Sequence, residues 1–170
     1  MAELTPQERL QPALLDRLID DEPEKSVESR EQRVLTKTQL RAAVLRDLAW
    51  LLNTTRLTER SGISGYEAAE ASVVNYGMPS FSGETAAALD ITDLERAIRE
   101  AIVRFEPRIL PATLRVEARS DGRALDWHNV VNIVITGQLW AQPVPIELLL
   151  RTEVDLETGQ VELNELRSAA

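Results

Sequence analysis

The sequence predicts an α+β domain, with about three helices packed on an antiparallel sheet of three to four strands and an N-terminal arm ahead of them. Three observations predict it. Between about residues 36 and 105, apolar residues recur at helical spacing behind side chains able to cap a helix start. From Thr113 onward the apolar period drops to two. Around Asp20-Asp21-Glu22-Pro23 the chain is too polar and too like-charged to pack, which divides an arm (1–31) from the α+β domain (32–170).

Within the arm, Leu10, Leu14, Leu15 and Leu18 fall at helical spacing, making a short amphipathic helix that docks either on its own domain or on a partner. Thr36 with Gln39 forms a capping box for the strongest helix, whose Leu40, Val44, Leu48, Leu51 and Leu52 line one face while Arg41, Arg46 and Asp47 lie elsewhere. Ser64 with Glu67 repeats the pattern ahead of a helix from Tyr66 to Asn75, stopped by Gly77 and Pro79. Thr92 with Glu95 opens a third, striped by Leu94, Ile98, Ala101, Ile102 and Phe105 and ended by Pro107. Leu114, Val116 and Ala118 then alternate with Arg115, Glu117 and Arg119 in a first strand, followed by a turn at Ser120-Asp121-Gly122. Residues 129–136 are apolar on both faces, as in a central strand under a helical layer. A strand from about Val144 to Val154 follows, and a tight hairpin with Gly159 in the left-handed position leads into Val161-Glu162-Leu163.

The composition excludes several function classes. The 170 residues contain no cysteine, which removes disulfides, thiolate catalysis and cysteine-bearing metal sites, and fits a reducing compartment. A net charge of −9 disfavours nucleic acid, whose affinity comes from Lys and Arg releasing counterions. That charge is uneven: residues 1–31 carry −5, residues 32–146 are neutral, and residues 147–170 carry −4. Only Lys25 and Lys37 are lysine among the 19 bases, so arginine dominates, either for fixed carboxylate pairing or from base composition. No apolar run reaches the roughly 20 residues of a membrane helix, and the first residues lack the basic start and apolar stretch of a signal peptide. The expectation is a cytoplasmic protein.

Chemistry finds little purchase. The single histidine, His128, cannot build a multi-histidine metal site, and no G-x-S-x-G elbow or glycine-rich phosphate loop occurs, so neither metal nor cofactor is expected. Paired carboxylates are abundant, but a glycosidase also needs aromatics to grip sugar rings. The chain has only Trp50, Trp127, Trp140, Tyr66, Tyr76, Phe81 and Phe105, with Trp50 and Phe105 expected in the core. The most unusual constellation is Glu106-Pro107-Arg108, where a proline at a helix end holds two opposite charges in an exposed corner. It reads either as a carboxylate and guanidinium presented to a partner or as a helix stop with a solvated ion pair worth about 0–1 kcal/mol.

Several segments together resemble the baseplate wedge family shared by contractile phage tails and type VI secretion systems. They are Leu14-Leu15-Asp16-Arg17-Leu18 with Asp20-Asp21-Glu22-Pro23, then the run from Val44 to Thr54, Val73-Val74-Asn75-Tyr76-Gly77-Met78-Pro79, Phe105-Glu106-Pro107-Arg108-Ile109-Leu110, and the run from Leu150 to Gly159. The resemblance covers about residues 9–167, and its most specific elements are the Glu-Pro-Arg triplet and the Asn75-Tyr76-Gly77 turn. It implies a structural subunit in a cytoplasmic baseplate docked at a membrane. Glu106, Pro107 and Arg108, with Leu14, Leu15, Arg17 and Leu18, would contact the wedge subunits TssF and TssG, near TssK. The strands resemble the part of the sheath subunits that exchanges strands, which implies a template for TssB and TssC at an acidic edge containing Glu153, Asp155 and Glu162. Family members are also called lysozyme-like, so the alternative is a peptidoglycan-cleaving glycoside hydrolase with Glu106 as general acid.

Overall fold

The computed structural model describes residues 13–18, 23–24, 35–57, 63, 65–81, 90–119, 130–141 and 144–166. The helices are α1 (Leu14–Leu18), α2 (Lys37–Leu52), α3 (Glu67–Glu70) and α4 (Ile91–Phe105). The strands β1 (Arg115–Arg119), β2 (Val130–Leu139), β3 (Ile146–Asp155) and β4 (Val161–Glu165) form one antiparallel sheet in the order β1-β2-β3-β4. This is the α+β architecture that the change of period predicts. His128, Trp127, Ser64, Leu10, the 120–122 turn and the Asp20–Glu22 cluster lie outside the described residues.

Helix α2 starts as its sequence dictates: the Thr36 hydroxyl accepts the Gln39 N–H while the Gln39 amide oxygen accepts the Thr36 N–H. It buries Leu40, Ala43, Val44, Leu48, Leu51 and Leu52. Trp50 falls off this stripe and is half-exposed, beneath the Arg46 guanidinium 5.1 Å from the ring centroid, so it is a surface residue and not a core one. Helix α4 buries Leu94, Ile98, Ala101 and Ile102, but Asp90 caps it, accepting the Thr92 N–H at 2.8 Å. The expected Thr92–Glu95 box does not form, because Glu95 reaches across to accept the Ala118 N–H at 2.6 Å.

The helix expected over residues 66–75 breaks in two. Four residues of α3 are followed by a 3-10 turn over Val73–Asn75, because the Ser72 hydroxyl donates to the Ala69 carbonyl and accepts the Val74 N–H. A serine that satisfies backbone groups locally competes with helix continuation. Val73 and Val74 consequently face outward, while Asn75 is buried.

Val131, Ile133, Ile135 and Leu139 of β2 meet Leu148, Leu150 and Val154 of β3 and the apolar stripes of α2 and α4 in one core cluster. The inner position of β2 agrees with its apolar composition; its second face, from Val130 to Gln138, is half-buried. The β3–β4 hairpin has Gly159 at φ 74°, with its N–H on the Asp155 carbonyl at 2.7 Å. Both sheet edges are partly closed by side chains from helices. Glu95 caps Ala118 on β1, and the Asn53 side-chain amide at the end of α2 donates to the Val161 carbonyl at 2.8 Å and accepts its N–H at 2.9 Å.

Candidate functional site

Helix α4 runs out at Glu106, whose N–H still reaches the Ile102 carbonyl. Pro107 then turns the chain, and the Ile109 N–H returns to the Glu106 carbonyl at 3.2 Å. Two backbone bonds fasten the segment after the turn to the end of β2: Trp140 N–H to Arg108 carbonyl at 2.7 Å, and Leu110 N–H to Gln138 carbonyl at 2.9 Å. The corner is thus held on both sides by regular structure.

Its charges are not both exposed, contrary to the sequence expectation. Pro107 is exposed and Arg108 is partly so, but Glu106 is only 3% exposed. The reason is geometric: the Glu106 carboxylate accepts the Arg108 backbone N–H at 3.2 Å, Nε at 2.6 Å and Nη2 at 2.5 Å. Nη2 also donates to Asp47 Oδ2 of α2 at 2.6 Å. The arginine fork is therefore aimed by two carboxylates from different helices. Burial opposes the Arg108 charge, but Glu106, and after it Asp47, outweigh that effect and hold its pKa above the ordinary arginine value.

The network extends further. Asp47 Oδ1 accepts Arg46 Nε at 2.9 Å, and Arg46 Nη1 meets Asp16 Oδ1 of α1 at 2.5 Å. Arg46 has a raised pKa, mainly from the hydrogen bond to Asp16, against burial and with Asp47 assisting. An alternating chain Asp16–Arg46–Asp47–Arg108–Glu106 results. It joins the arm helix, α2 and the end of α4. Asp16, Arg46 and Asp47 are the site residues that the sequence did not single out; Arg46-Asp47 was legible only as part of a polar helix face.

Among the described residues, the arm helix is tied to α2 through Asp16 and not through Leu14, Leu15 or Leu18. Leu14, Leu15 and Leu18 are exposed, Leu14 and Leu18 by more than 70%, and Arg17 lies on the same helix. The Asn75-Tyr76-Gly77 turn reaches the network from another side. The Tyr76 hydroxyl donates to the Asp47 carbonyl at 3.3 Å, and its ring meets Phe105 edge-on with centroids 5.2 Å apart. Burial, then the nearby Asp47 and Glu106 charges, raise the Tyr76 pKa. Glu106, Pro107, Arg108 and the turn are thus brought together around Asp47, with α1 tied in through Arg46.

Glu153 and Glu162 are register partners across β3 and β4, so these two acids adjoin, while Asp155 lies at the hairpin end of β3. Glu153 and Asp155 lie on β3, an inner strand, and only Glu162 is on the edge strand β4. Asp155 is used within its own hairpin, accepting the Glu157 and Thr158 N–H groups. Those two bonds, Thr158 first, lower its pKa.

Among the described residues no group of three or more His, Asp or Glu side chains is placed to hold a metal, and no helix is long and apolar enough to cross a membrane. A groove at the start of α2, lined by Lys37, Arg41, Glu147 and Glu165 among others, contains no aromatic side chain. Its arginine is already paired with Glu165 at 2.9 Å. Neither Glu106 nor Arg108 lines it.

No curated protein and no solved structure gives a significant match to the chain. Residues 38–144 match the family described as baseplate wedge protein gp25, a stretch running from the first turn of α2 through the ion-pair corner to the loop after β2. This match spans more than half of the sequence, and the chain belongs to the gp25 family of baseplate wedge proteins, structural components of the baseplate.

Proposed function

We propose that the chain is the type VI secretion member of this family, TssE, acting as a non-enzymatic adaptor in a cytoplasmic, membrane-docked baseplate. The Glu106-Pro107-Arg108 corner and the arm residues Leu14, Leu15, Arg17 and Leu18 contact TssF and TssG, in an assembly that includes TssK. The observation that carries this reading is the use to which Glu106 is put. Both of its carboxylate oxygens are engaged by Arg108, so it acts as an acceptor that fixes a guanidinium beside an exposed proline. A pre-oriented arginine loses less entropy on docking than a free one.

Co-purification with TssF and TssG tests this. Arg108→Lys retains the charge but not the fork, and it is expected to lower recovery of the wedge complex at least tenfold while the domain stays folded. Recovery at the wild-type level would remove the corner from the interface. In the same preparations, muropeptide release from peptidoglycan that is lost in Glu106→Gln would establish the hydrolase reading instead.

Templating of the TssB/TssC sheath belongs to the same proposal, with β4 as the accepting strand. The Leu166 N–H to Leu149 carbonyl and Asp155 N–H to Gln160 carbonyl bonds set an alternation in which residues 162 and 164 pair with β3, leaving 161, 163 and 165 directed outward. Asn53 occupies Val161, so Leu163 and Glu165 are the positions an added strand can use. Glu165→Pro removes an outward N–H while sparing the β3 ladder, and is expected to abolish sheath assembly with TssF and TssG binding retained. Sheaths of normal length in that variant would exclude β4 as the template. Glu162→Pro is unsuitable for this test because it breaks the β3–β4 ladder itself.

A further inference from the structure

The five-charge chain has a consequence for the arm. Among the described residues it contains three acids and two bases, so compensation within it is incomplete, and the two bases serve different elements. Arg46 holds α1 through Asp16, whereas Arg108 is shared between Asp47 and Glu106. Asp47 is shared, giving Oδ1 to Arg46 and Oδ2 to Arg108. The leucines of α1 contribute little to its own docking, since all three are exposed; the described tie between α1 and α2 is ionic. We propose that Asp47 and Arg108 are positioning residues for the arm. Arg108 offsets the Asp47 charge, and that offset lets Asp16 stay on Arg46.

The direction follows from charge. With Arg108 present the cluster carries −1; without it, −2, and Asp16 then shares a single arginine with an uncompensated Asp47. The arm loosens, although residue 108 makes no contact with it. Because linkage is reciprocal, anything that docks the arm steadies Arg108, and anything that draws charge away from Arg108 frees α1. The use of this coupling in wedge assembly rests on the proposed function. The coupling itself is a property of the isolated chain, so its failure and the failure of the adaptor reading are separately visible.

The absence of cysteine allows a direct test, since a single cysteine introduced by Ala13→Cys takes the only thiol-reactive fluorophore in the full-length chain. Anisotropy then reports how firmly the arm is held. Asp16→Asn defines the released state. Arg108→Gln is expected to raise the released fraction about fivefold, the lower end of ordinary coupling between sites. Adding Asp47→Asn to Arg108→Gln returns the cluster to −1 and is expected to restore most of the anisotropy. General destabilisation would not be repaired by a second loss of contacts, so this reversal identifies positioning through charge. In the wild-type chain, salt raised to about 0.5 M is expected to shift the label toward the released value by screening the same charges. This measurement needs no substitution in the cluster. Wild-type anisotropy in folded Arg108→Gln, a loss that Asp47→Asn does not reverse, or salt-independent anisotropy in the wild-type chain would each overturn the proposal.

Discussion

Arg108→Ala is expected to lower the stability of the domain by about 3 kcal/mol, a large loss for a side chain at the surface of a corner. The cost comes from what is left behind. Glu106, 3% exposed, loses the two side-chain donors that satisfy its oxygens and retains only the backbone N–H of residue 108. Asp47 loses the donor on Oδ2 at the same time. Removing one member of a buried pair costs about 3–5 kcal/mol, and the partial exposure of Arg108 and Asp47 lets water recover some of that, which favours the lower end of the range. Glu106→Gln is expected to cost about 1 kcal/mol, because an amide oxygen can still accept and Arg108 keeps Asp47. Urea unfolding of the three proteins gives the differences. An Arg108→Ala midpoint matching that of wild type, at unchanged slope, would mean that Glu106 relaxes into solvent and that the corner is not held as described.

That expectation differs from the one the sequence alone supports, and the difference shows where sequence reasoning ends. Glu106, Pro107 and Arg108 are adjacent, so a corner with opposite charges was legible. Asp47, 61 residues from Arg108, has no local mark that distinguishes it from any other acid on a polar helix face. The aim of Arg108 depends on that distant carboxylate, the corner is fastened by two bonds to the end of β2, and neither is written in the triplet. The edge of β4 repeats the lesson. Its strand period was visible, but the Asn53 amide that closes Val161 comes from 108 residues away.

Where the physics is local, the sequence was sufficient. The capping box at Thr36, the apolar stripes of α2 and α4, the alternation in β1 and the left-handed Gly159 each depend on residues within a few positions of one another. The departures from the pattern have local causes at Ser72 and Asp90 and a distant one at Glu95, whose partner Ala118 is 23 residues away. Ser72 splits an apparently continuous helix through its hydroxyl, and Asp90 caps α4 while Glu95 is drawn to β1. Trp50 shows the limit of periodicity: one position off the buried stripe is enough to move an indole from the core to a cation–π contact on the surface.

Gly77→Ala is expected to be as damaging as Arg108→Ala, for a steric reason. Gly77 has φ +121°, and a Cβ placed there would lie 2.3 Å from the Thr54 carbonyl oxygen, 2.8 Å from the Thr54 carbonyl carbon and 3.0 Å from the Arg56 nitrogen. All three are backbone atoms, so no flexible side chain can yield. The turn and the end of α2 are also bonded to each other at this place, Met78 N–H to the Thr54 carbonyl at 2.7 Å and Arg56 N–H to the Met78 carbonyl at 2.8 Å. Relieving the clash means separating those segments and losing both bonds, on top of the backbone strain of a non-glycine residue at positive φ. The sum is about 3 kcal/mol or more. Gly65 supplies the control. It also has positive φ, +96°, but a Cβ there meets nothing within 4 Å, so Gly65→Ala carries only the strain of about 1 kcal/mol. In a chain of this size the expected fall in thermal midpoint is about 10 °C for Gly77→Ala and no more than about 4 °C for Gly65→Ala. Equal shifts would show that conformation alone, and not the approach to Thr54, makes Gly77 necessary. The turn also carries Tyr76 against Phe105 and onto Asp47, so Gly77→Ala is expected to weaken TssF and TssG recovery even where it remains folded. The turn that sets Tyr76 beside the ion-pair corner depends on a backbone contact that only glycine permits.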